Sequence, residues 1–536
     1  MLEVARPRAF AHTHGEFHLH AGRALAEQGF FDAALTEFEM AIAAHPEDPL
    51  GYLERGYALK DLGALGDARA ALSRALEIFP RHVLLLNAYG LVMSDLGLHE
   101  AALASYSKAL EVDPLHAGSK SNASRELLAL ARLDEAIDRA RQALAIDPKL
   151  SSALETLKTS LFRAHRVDEA LVVCQTITQI APTNAAGLMR RAAAHEELGE
   201  HQGALRDYLE AHRLAPANPY AALNVGLAAL RLSRYDIGWK MWESRRFVPT
   251  FRSLSPEIAS RALHWDGTAS LANKTIFVYP EQGYGDGVQF MRYLDQLTAM
   301  NAIVLLGLPA ALEPFYAAVP GVTLLKQGET IGAIDFHCPL TSIPAALLEA
   351  GVEIGIPPPF RPIAGEAKAT SWAKTLGPRV KPRIGLVVSG SAAHNNDANR
   401  SIALAELAPL LSLPFEFVLL QPDLRATDAA TAVQFGVKTL TQGLRDFSDT
   451  AAIAGLCDLV ISVDSAPAHV VASLGRPTWL LLPYLADWRW GIMTESSPWY
   501  PSLRLWRQGR DRQWSNVIDR VRLQLLASPE LDGMAS

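Results

Sequence analysis

The chain has 536 residues, of which 49% are hydrophobic and 20% are charged, and its formal net charge at pH 7 is -7. This composition is typical of a globular protein and is long enough for three domains. The net negative charge gives no general electrostatic reason to bind nucleic acid or an anionic membrane.

The cysteines and the apolar runs indicate the cellular compartment of the protein. The three cysteines, Cys174, Cys338 and Cys457, lie far apart and lack the spacing of a zinc site. We therefore expect neither a disulfide framework nor a metal site, and a reducing compartment. The first twenty residues lack the apolar core of a signal peptide, and the longest apolar runs are too short to span a bilayer. The expected location is the cytoplasm.

The chain begins with a segment rich in histidine, which holds His12, His14, His18 and His20. Closely spaced imidazoles can share a metal ion, but no cysteine or carboxylate cluster joins these four. We expect residues 1–14 to form a solvated leader into the first helical pair.

Six prolines then recur every 34 residues: Pro46, Pro80, Pro114, Pro148, Pro182 and Pro216. Each follows a run with helical periodicity, where the fixed φ and missing N–H of proline prevent further helix. A period of 34 residues indicates repeated helical pairs. We predict about seven pairs over residues 15–247, the last of them rich in Trp and Arg.

Small residues share the same period. One register holds Gly22, Gly56, Gly90 and Gly226, a second holds Gly29, Gly63, Gly97 and Gly199, and a third holds Ala34, Ala68, Ala102, Ala136, Ala170 and Ala204. The alanines are predicted to lie where the two helices of a pair cross closely.

With this period and pattern, the first 45% or so of the chain resembles the tetratricopeptide repeats. The resemblance implies a superhelix whose concave groove holds a peptide or protein; dimerisation or anchoring of a neighbouring domain is the alternative. In relatives with protein acceptors, asparagines line the groove. The comparable register here reads His20, Glu54, Ala88, Asn122, Thr156, Arg190 and Asn224, so a repeated asparagine ladder is not expected.

After a connector at 248–270, short β-rich runs alternate with segments of helical length. The runs are TIFVY, AIVLLGL, VTLLK, RIGLVVS, FEFVLLQ, DLVISVD and TWLLLP. This alternation predicts parallel α/β sheets, which we divide into two doubly wound domains at 271–365 and 380–525, followed by a tail at 526–536. In such domains ligands bind beyond the carboxyl ends of the strands.

Three segments follow predicted strands. In the first, Gly283, Gly285 and Gly287 permit tight turning, and Asp286 and Gln289 accompany them. Asp286 is suited to proton transfer or to contact with a neutral acceptor, but on these residues alone capping of the following helix is the favoured role.

In the second segment, Ser389, Gly390 and Ser391 precede a polar loop that contains His394, Asn395, Asn396 and Asp397 and ends in Arg400 and Ser401. Small residues with a guanidinium suit a diphosphate, with Ser401 capping a following helix; a solvated surface loop is the alternative.

In the third segment, a strand ends at Asp464 and a helix begins near Ser465, with His469 one turn into the helix. The N–H groups at a helix start suit an anion, and capping is the alternative role of Asp464.

Together these segments resemble the glycosyltransferase-B superfamily, and most closely the bacterial group allied to the lipopolysaccharide heptosyltransferases. The resemblance covers about Leu263 to Trp514 and rests on HWDG, YPEQGYGDGVQFMRY, DFHCPLTSIP, SGSAAHNNDANRSI, FSDTAA, DLVISVDSAPAHVVASLGRPTWLLLP, DWRWG and SPWYP.

The resemblance implies a metal-independent, inverting transferase that requires no cofactor. It assigns Asp286 as general base, and Gly283, Gly285, Gly287 and Gln289 as a supporting loop. It assigns the nucleotide-sugar donor to Ser389, Gly390, Ser391, Arg400, Ser401, Asp464, Ser465 and His469. Val388 stands where the family often has Trp, and Ser465 where it often has Thr. Trp488, Arg489 and Trp490 either wall the donor pocket or form the edge of a core.

The fusion resembles the O-linked N-acetylglucosamine transferases and the repeat-fused transferases of flagellin glycosylation. We therefore expect sugar transfer to a Ser or Thr hydroxyl of a protein, with flagellin as the candidate acceptor. Transfer to a surface polysaccharide or lipid-linked sugar is one alternative. An interaction scaffold with an inactive transferase-like half is the other.

Overall fold

The computed structural model describes residues 5–249, 251, 262–316, 319–326, 328–359, 366–392, 396–440, 443–492 and 494–528, with side chains from residue 14 onward. The chain divides between Leu198 and Gly199 into two compact units.

The first unit consists of helices that pack in sequence. They are α1 (Ala5–Glu27), α2 (Phe31–Ala44), α3 (Pro49–Asp61), α4 (Leu65–Ile78), α5 (Val83–Asp95), α6 (His99–Val112), α7 (Ala117–Ala129), α8 (Leu133–Ile146), α9 (Ser151–Arg163), α10 (Val167–Ile180) and α11 (Ala185–Glu197). The periodic prolines in this unit each stand two residues beyond the end of the second helix of a pair, as predicted.

The alanine register has the close-packing role predicted for it, and the first glycine register has a similar one. All six periodic alanines have no exposed surface. A Cβ atom on Gly56 would lie 2.4 Å from the Leu72 side chain, and one on Gly90 would lie 2.5 Å from Tyr106. A larger residue at these positions would force the paired helices apart.

The second glycine register lies in the turns between paired helices and takes positive φ, at 81°, 82°, 75° and 77° for Gly29, Gly63, Gly97 and Gly199. Glycine adopts this conformation without a steric penalty. Three repeats place another residue there: Ala131, His165 and Ser233 have φ of 58°, 55° and 58°. These turns keep the same backbone conformation, although a side chain at positive φ costs free energy.

The histidine-rich segment differs from the predicted solvated leader. Helix α1 already begins at Ala5, and His18 is buried, with its Nδ1 2.6 Å from Glu37 and its Nε2 3.2 Å from His14. The segment is held because the face of α1 that carries His18 packs on α2. The side chain of His12 and the whole of residues 1–4 lie outside the described residues.

The second unit begins with α12 (His201–Leu214), α13 (Pro219–Arg231) and α14 (Tyr235–Trp242), followed by a 3-10 helix over Glu243–Phe247. The last helical pair packs into the α/β region through aromatic rings. The Trp239 ring centroid lies 5.8 Å from that of Phe290 and 5.4 Å from that of Trp488.

The first sheet has five parallel strands in the order β1-β5-β2-β3-β4. The strands are β1 (Leu263–His264), β2 (Thr275–Tyr279), β3 (Ile303–Gly307), β4 (Val322–Leu325) and β5 (Phe336–Pro339). Its helices are α15 (Tyr284–Phe290), α16 (Leu294–Ala299) and α17 (Ile343–Glu349).

The second sheet has six parallel strands in the order β11-β10-β9-β6-β7-β8. The strands are β6 (Arg383–Val387), β7 (Glu416–Leu419), β8 (Lys438–Thr439), β9 (Leu459–Val463), β10 (Thr478–Leu482) and β11 (Leu503–Arg507). Its helices are α18 (Glu366–Leu376), α19 (Asp397–Arg400), α20 (Ala408–Leu411), α21 (Ala426–Gln434), α22 (Phe447–Gly455), α23 (Ala466–Ser473) and α24 (Trp514–Leu526).

The predicted fold class, a helical repeat array followed by two parallel α/β sheets, is confirmed. All seven predicted runs are strands, and the sheets also include β1, β5, β8 and β11. Strand β1 falls within the predicted connector, and α18 falls between the two predicted domain ranges. Of the predicted tail, residues 529–536 lie outside the described residues.

In the described part of the chain, no helix is both long enough and apolar enough to cross a bilayer. Cys174, Cys338 and Cys457 are buried free thiols.

Candidate functional site

Each sheet has one point at which the strand order reverses. In the first sheet the chain runs outward from β2 through β3 to β4 and then returns to β5 on the other side of β2. In the second it runs from β6 through β7 to β8 and returns to β9. Crevices beyond the carboxyl ends of strands at such points are the usual ligand sites of parallel sheets.

A cavity of about 1220 Å³ lies at these strand ends. The loops that follow β2, β6, β7, β9 and β10 line it, together with residues of α13. The polar and charged lining includes Arg231, Gln282, Asp286, Ser389, Ser391, Asn396, Arg400, Gln421, Asp423, Arg425, Arg445, Asp446, Thr450, Asp464, Ser465, His469, Asp487 and Arg489. Both sheets therefore contribute side chains to one cavity.

Ten of the thirteen predicted site residues line this cavity: Gly283, Gly285, Asp286, Ser389, Gly390, Ser391, Arg400, Asp464, Ser465 and His469. The other three, Gly287, Gln289 and Ser401, are not part of the lining. Gln289 and Ser401 instead accept hydrogen bonds from the lining residues Arg489 and Gly390, respectively.

Asp286 lies in the first turn of α15 and has two partners. Its Oδ2 accepts a hydrogen bond from the backbone N–H of Gly283 at 3.0 Å, and its Oδ1 forms an ion pair with Arg489. Burial raises the pKa of Asp286; Asp487 adds to this effect and Arg489 opposes it. The carboxylate thus caps the helix, as one of its two predicted roles requires, and it also lines the cavity.

Arg489 follows β10 and links the two sheets. Its Nε donates to Oε1 of Gln289 at 2.7 Å, and its Nη1 lies 2.8 Å from Oδ1 of Asp487. The guanidinium carbon lies 4.8 Å from the centroid of the Trp488 ring. These contacts hold a cation against the carboxylate of Asp286.

The loop after β6 is held by Gln421. The Gln421 side chain accepts from the N–H of Val388 at 2.8 Å and donates to the Ser389 hydroxyl at 2.9 Å. A Cβ atom on Gly390 would lie 2.5 Å from Nη2 of Arg400, so glycine gives this guanidinium its space. Nη1 of Arg400 donates to the carbonyl of Asp464 at 3.1 Å, which joins the β6 and β9 loops.

Ser401 does not cap a following helix as predicted. It ends the short helix α19, its hydroxyl donates to Asp397 at 2.8 Å, and it accepts from the N–H of Gly390 at 3.2 Å. The hydroxyl is used in this way because the chain beyond Arg400 turns back toward the β6 loop. His394 and Asn395 lie outside the described residues.

At the end of β9, Ser465 rather than Asp464 is the N-cap of α23. The Ser465 hydroxyl donates to the carbonyl of Val463 at 3.2 Å. Pro467 in the first turn has no N–H, and the N–H of Ala468 donates to the carbonyl of Ser465, so this helix start offers fewer anion donors than predicted. Burial and nearby Asp487 raise the pKa of Asp464 to about 6.

His469 is buried and its orientation is fixed. Its Nδ1 lies 2.9 Å from the Tyr500 hydroxyl, and its ring packs on Trp490 with centroids 5.2 Å apart. A Cβ atom on Gly285 would lie 2.8 Å from the imidazole. Burial, with Arg489 and Arg292 nearby, lowers the pKa of His469 well below its usual value, so the ring is neutral.

The three residues of the WRW segment have different positions. Trp488 and Arg489 line the cavity, whereas Trp490 is fully buried behind His469. Val388 is also buried, as part of the core. Arg489 thus takes the first of its two expected positions, whereas Asp487, Gln421 and Arg425 are lining residues for which the sequence indicated no role. Their position directly after β7 and β10, or on the loop that follows, is the signal that could have identified them.

A buried polar cluster supports the loop that carries Asp286. Arg245 has no exposed side-chain surface, and its guanidinium contacts Glu281 at 2.5 Å and Glu243 at 2.6 Å. It also donates to the hydroxyls of Thr341 at 2.9 Å and Ser342 at 2.6 Å. The cluster thereby joins the segment after α14 to the loops after β2 and β5.

Comparison with known proteins identifies the helical part. A family model described as tetratricopeptide repeat matches residues 19–83, and a second matches residues 85–114. The helical array is a tetratricopeptide-repeat solenoid. Tetratricopeptide repeats generally serve protein–protein interaction.

Among curated proteins, the chain is similar to Protein FlbA from Caulobacter vibrioides, at 27% identity over 380 residues. The match covers 64% of this chain and 61% of FlbA, so the chain spans less than two thirds of that relative's length.

Several solved structures that are similar to the chain are described as tetratricopeptide repeat proteins. A thermophilic tetratricopeptide repeat protein from Thermus thermophilus is 25% identical, and the match covers 34% of this chain and 98% of that one, with a TM-score of 0.30. The type IV pilus biogenesis factor PilW is 19% identical, with coverages of 38% and 94% and a TM-score of 0.36.

Within the described residues, no group of three or more His, Cys, Asp or Glu side chains is placed to hold a metal ion.

Proposed function

We propose that the protein is a glycosyltransferase that moves a sugar from a nucleotide-sugar donor to a Ser or Thr hydroxyl of a protein acceptor. The observation that carries the proposal is the cavity at the strand ends of both sheets, in which Asp286 of the first sheet pairs with Arg489 of the second and Arg400 also lines the wall. A carboxylate opposite guanidinium groups suits a reaction that removes a proton and releases a phosphate.

The donor would lie against the second sheet. The loop of Ser389, Gly390 and Ser391 and the guanidinium of Arg400 provide small residues and a positive charge for its phosphate. The neutral imidazole of His469 and the residues Asp464 and Ser465 line the same side, and they offer hydrogen bonds to ribose or sugar hydroxyls.

In the proposed reaction, the acceptor hydroxyl oxygen forms a bond with the anomeric carbon as the bond from that carbon to the phosphate oxygen breaks. The electron pair of the broken bond leaves on the nucleotide phosphate, next to Arg400. Asp286 takes the hydroxyl proton, and the raised pKa of its buried carboxylate makes it a stronger base than an exposed aspartate. Arginine side chains thus act on the leaving group, and we expect the rate to be unaffected by a chelator.

A protein acceptor is favoured by the position of the last helical pair. Leu227 and Arg231 of α13 line the cavity beside the strand-end loops. An acceptor segment bound against this last pair would therefore lie next to the cavity. The resemblance to transferases of flagellin glycosylation makes flagellin the first acceptor to test.

The test is nucleotide release by the purified full chain from UDP-, GDP-, ADP- and CMP-sugars, with and without extracellular proteins from a strain that lacks the gene. We expect one donor to be consumed only with protein present, and Asp286→Asn to slow the reaction at least about 100-fold. Asp423→Asn, which removes another cavity-lining carboxylate, is the matched control and should react nearly as the wild type does.

Other results would change the proposed acceptor or the proposed function. Consumption only in the presence of a polysaccharide or lipid-linked fraction would assign the reaction to those acceptors. Failure to bind or consume any of the donors would favour a scaffold without transferase activity.

A further inference from the structure

Arg489 has more carboxylate neighbours than its single charge can neutralise. Its guanidinium contacts Asp286 and Asp487 directly, and Asp464 lies close enough to affect its charge state. The Arg489 side chain is only 11% exposed, so water screens these charges weakly. Two carboxylates thus contact the Arg489 guanidinium, and a third lies near it.

The described lining of the cavity contains equal numbers of arginines and aspartates. Its lining contains five arginines, namely Arg231, Arg400, Arg425, Arg445 and Arg489, and five aspartates, namely Asp286, Asp423, Asp446, Asp464 and Asp487. A phosphate that enters therefore meets carboxylates as well as guanidinium groups, and its binding depends on which guanidinium groups can turn toward it.

The contacts of Arg489 leave one buried group unsatisfied. Gln289, which accepts from Nε of Arg489, has no exposed surface, and its Nε2 has no hydrogen-bond partner among the described residues. A buried unpaired amide is costly. The hydrogen bonds around Arg489 are thus incomplete, so a second position of its side chain can compete with this one.

We propose that Arg489 binds the donor phosphate and that its ion pair with Asp286 competes with that binding. The inference rests on the transferase function proposed above and adds an order of events to it. When the phosphate attracts the guanidinium, the carboxylate of Asp286 loses its counter-ion and becomes available to the acceptor hydroxyl. Donor binding would therefore prepare the base, and the base would be restrained until a donor is present.

If Asp286 and the donor phosphate compete for Arg489, nucleotide affinity should respond to Asp286 as well as to Arg489. A role of Arg489 in phosphate binding alone would not predict this. Removing the charge of Asp286 releases Arg489, so Asp286→Asn should bind a nucleotide more tightly than the wild type, by about three- to tenfold. Arg489→Gln should bind it at least about tenfold more weakly, and Arg489→Lys should have an intermediate affinity. In the Arg489→Gln background, Asp286→Asn should have no further effect on affinity.

The experiment is calorimetric titration of the full chain with UDP, GDP, ADP and CMP, each alone. Asp423→Asn is the control for charge, because it removes a carboxylate from the same lining without releasing Arg489; it should change affinity by less than about twofold. Arg489→Gln leaves Asp286 and Asp487 without their cation and can impair folding, so the Asp286→Asn and Asp423→Asn pair provides a test that keeps every arginine.

Equal affinities for the wild type and Asp286→Asn, or equal gains in Asp286→Asn and Asp423→Asn, would overturn the inference and leave the transferase function intact. Wild-type protein that binds none of the four nucleotides would instead contradict the proposed function itself, and the inference with it.

Discussion

The guanidinium of Arg245 lies 2.5 Å from the carboxylate of Glu281, and this buried ion pair joins the segment after the last repeat to the loop that carries Asp286. Arg245 also contacts Glu243, Thr341 and Ser342. All the hydrogen-bonding nitrogens of its guanidinium are therefore used.

Replacement of Arg245 by Gln should destabilise the second unit strongly, since it leaves Glu243 and Glu281 without their buried cation. The expected loss in the free energy of unfolding is about 3–5 kcal/mol. Chemical denaturation of the full chain, followed by tryptophan fluorescence, measures it. The control is Lys240→Gln, which breaks an exposed pair with Glu349 at 3.6 Å and should cost less than about 1 kcal/mol. Equal effects of the two variants would show that the buried cluster has no special role.

Gly390→Ala should lower nucleotide affinity while the protein remains folded. The added Cβ would lie 2.5 Å from the end of the Arg400 side chain, which is flexible enough to move aside and would then leave its position in the cavity. We expect about tenfold weaker binding. In the matched control, Gly355→Ala, the new Cβ would have no heavy atom within 4 Å. Wild-type affinity in Gly390→Ala would argue against a role for Arg400 in phosphate binding.

Asp464→Asn should stabilise the protein in a pH-dependent way. The pKa of Asp464 is raised to about 6 in the folded state, so the folded protein binds this proton more tightly than the unfolded chain does. Ionisation of Asp464 therefore destabilises the fold as pH rises from about 4 to about 6, by about 1–3 kcal/mol in total.

Because the variant does not ionise at this position, its advantage should be complete above pH 6 and should decrease as pH falls toward 4. Thermal unfolding of both proteins across this range measures the difference. An advantage that is the same at every pH would contradict the raised pKa of Asp464.

Two turn variants should have opposite effects on the repeats. Gly97→Ala places a side chain at φ of 75° without any contact within 4 Å, so its cost of about 1–2 kcal/mol should come from the backbone alone. Ala131→Gly relieves the same strain and should stabilise the protein by about 0.5–1 kcal/mol. Chemical denaturation midpoints measure both effects. A shift in the same direction for the two variants would contradict the role of backbone strain in these turns.

The repeat array was predictable because its signals are local and recur. A proline two residues beyond a helix and a glycine in each turn depend on a few neighbouring residues, and the 34-residue period repeats them. The strands with long apolar runs were predictable for a similar reason. Strand β1 (Leu263–His264) has only two residues, too few to show alternation, and forms only because β5 lies beside it.

The site was predictable where a polar residue ends a recognised strand, as Asp464 does, or lies in the loop or helix start that follows one, as Ser389 and Asp286 do. The sequence indicates Arg489 only as part of an aromatic segment, since nothing local shows that it contacts a carboxylate 203 residues away in the chain. For the same reason, the sequence indicates only a helix-cap role for Ser401. Its true partners depend on how the loop after β6 folds back.

The most direct test of the account is intact-mass spectrometry of flagellin and other extracellular proteins from three strains. One carries the wild-type gene, one carries Asp286→Asn and one lacks the gene. Our account predicts that one protein loses whole sugar-mass increments in both altered strains, while the Asp286→Asn protein is still present in the cell. Identical masses in all three strains would contradict transfer to a protein acceptor.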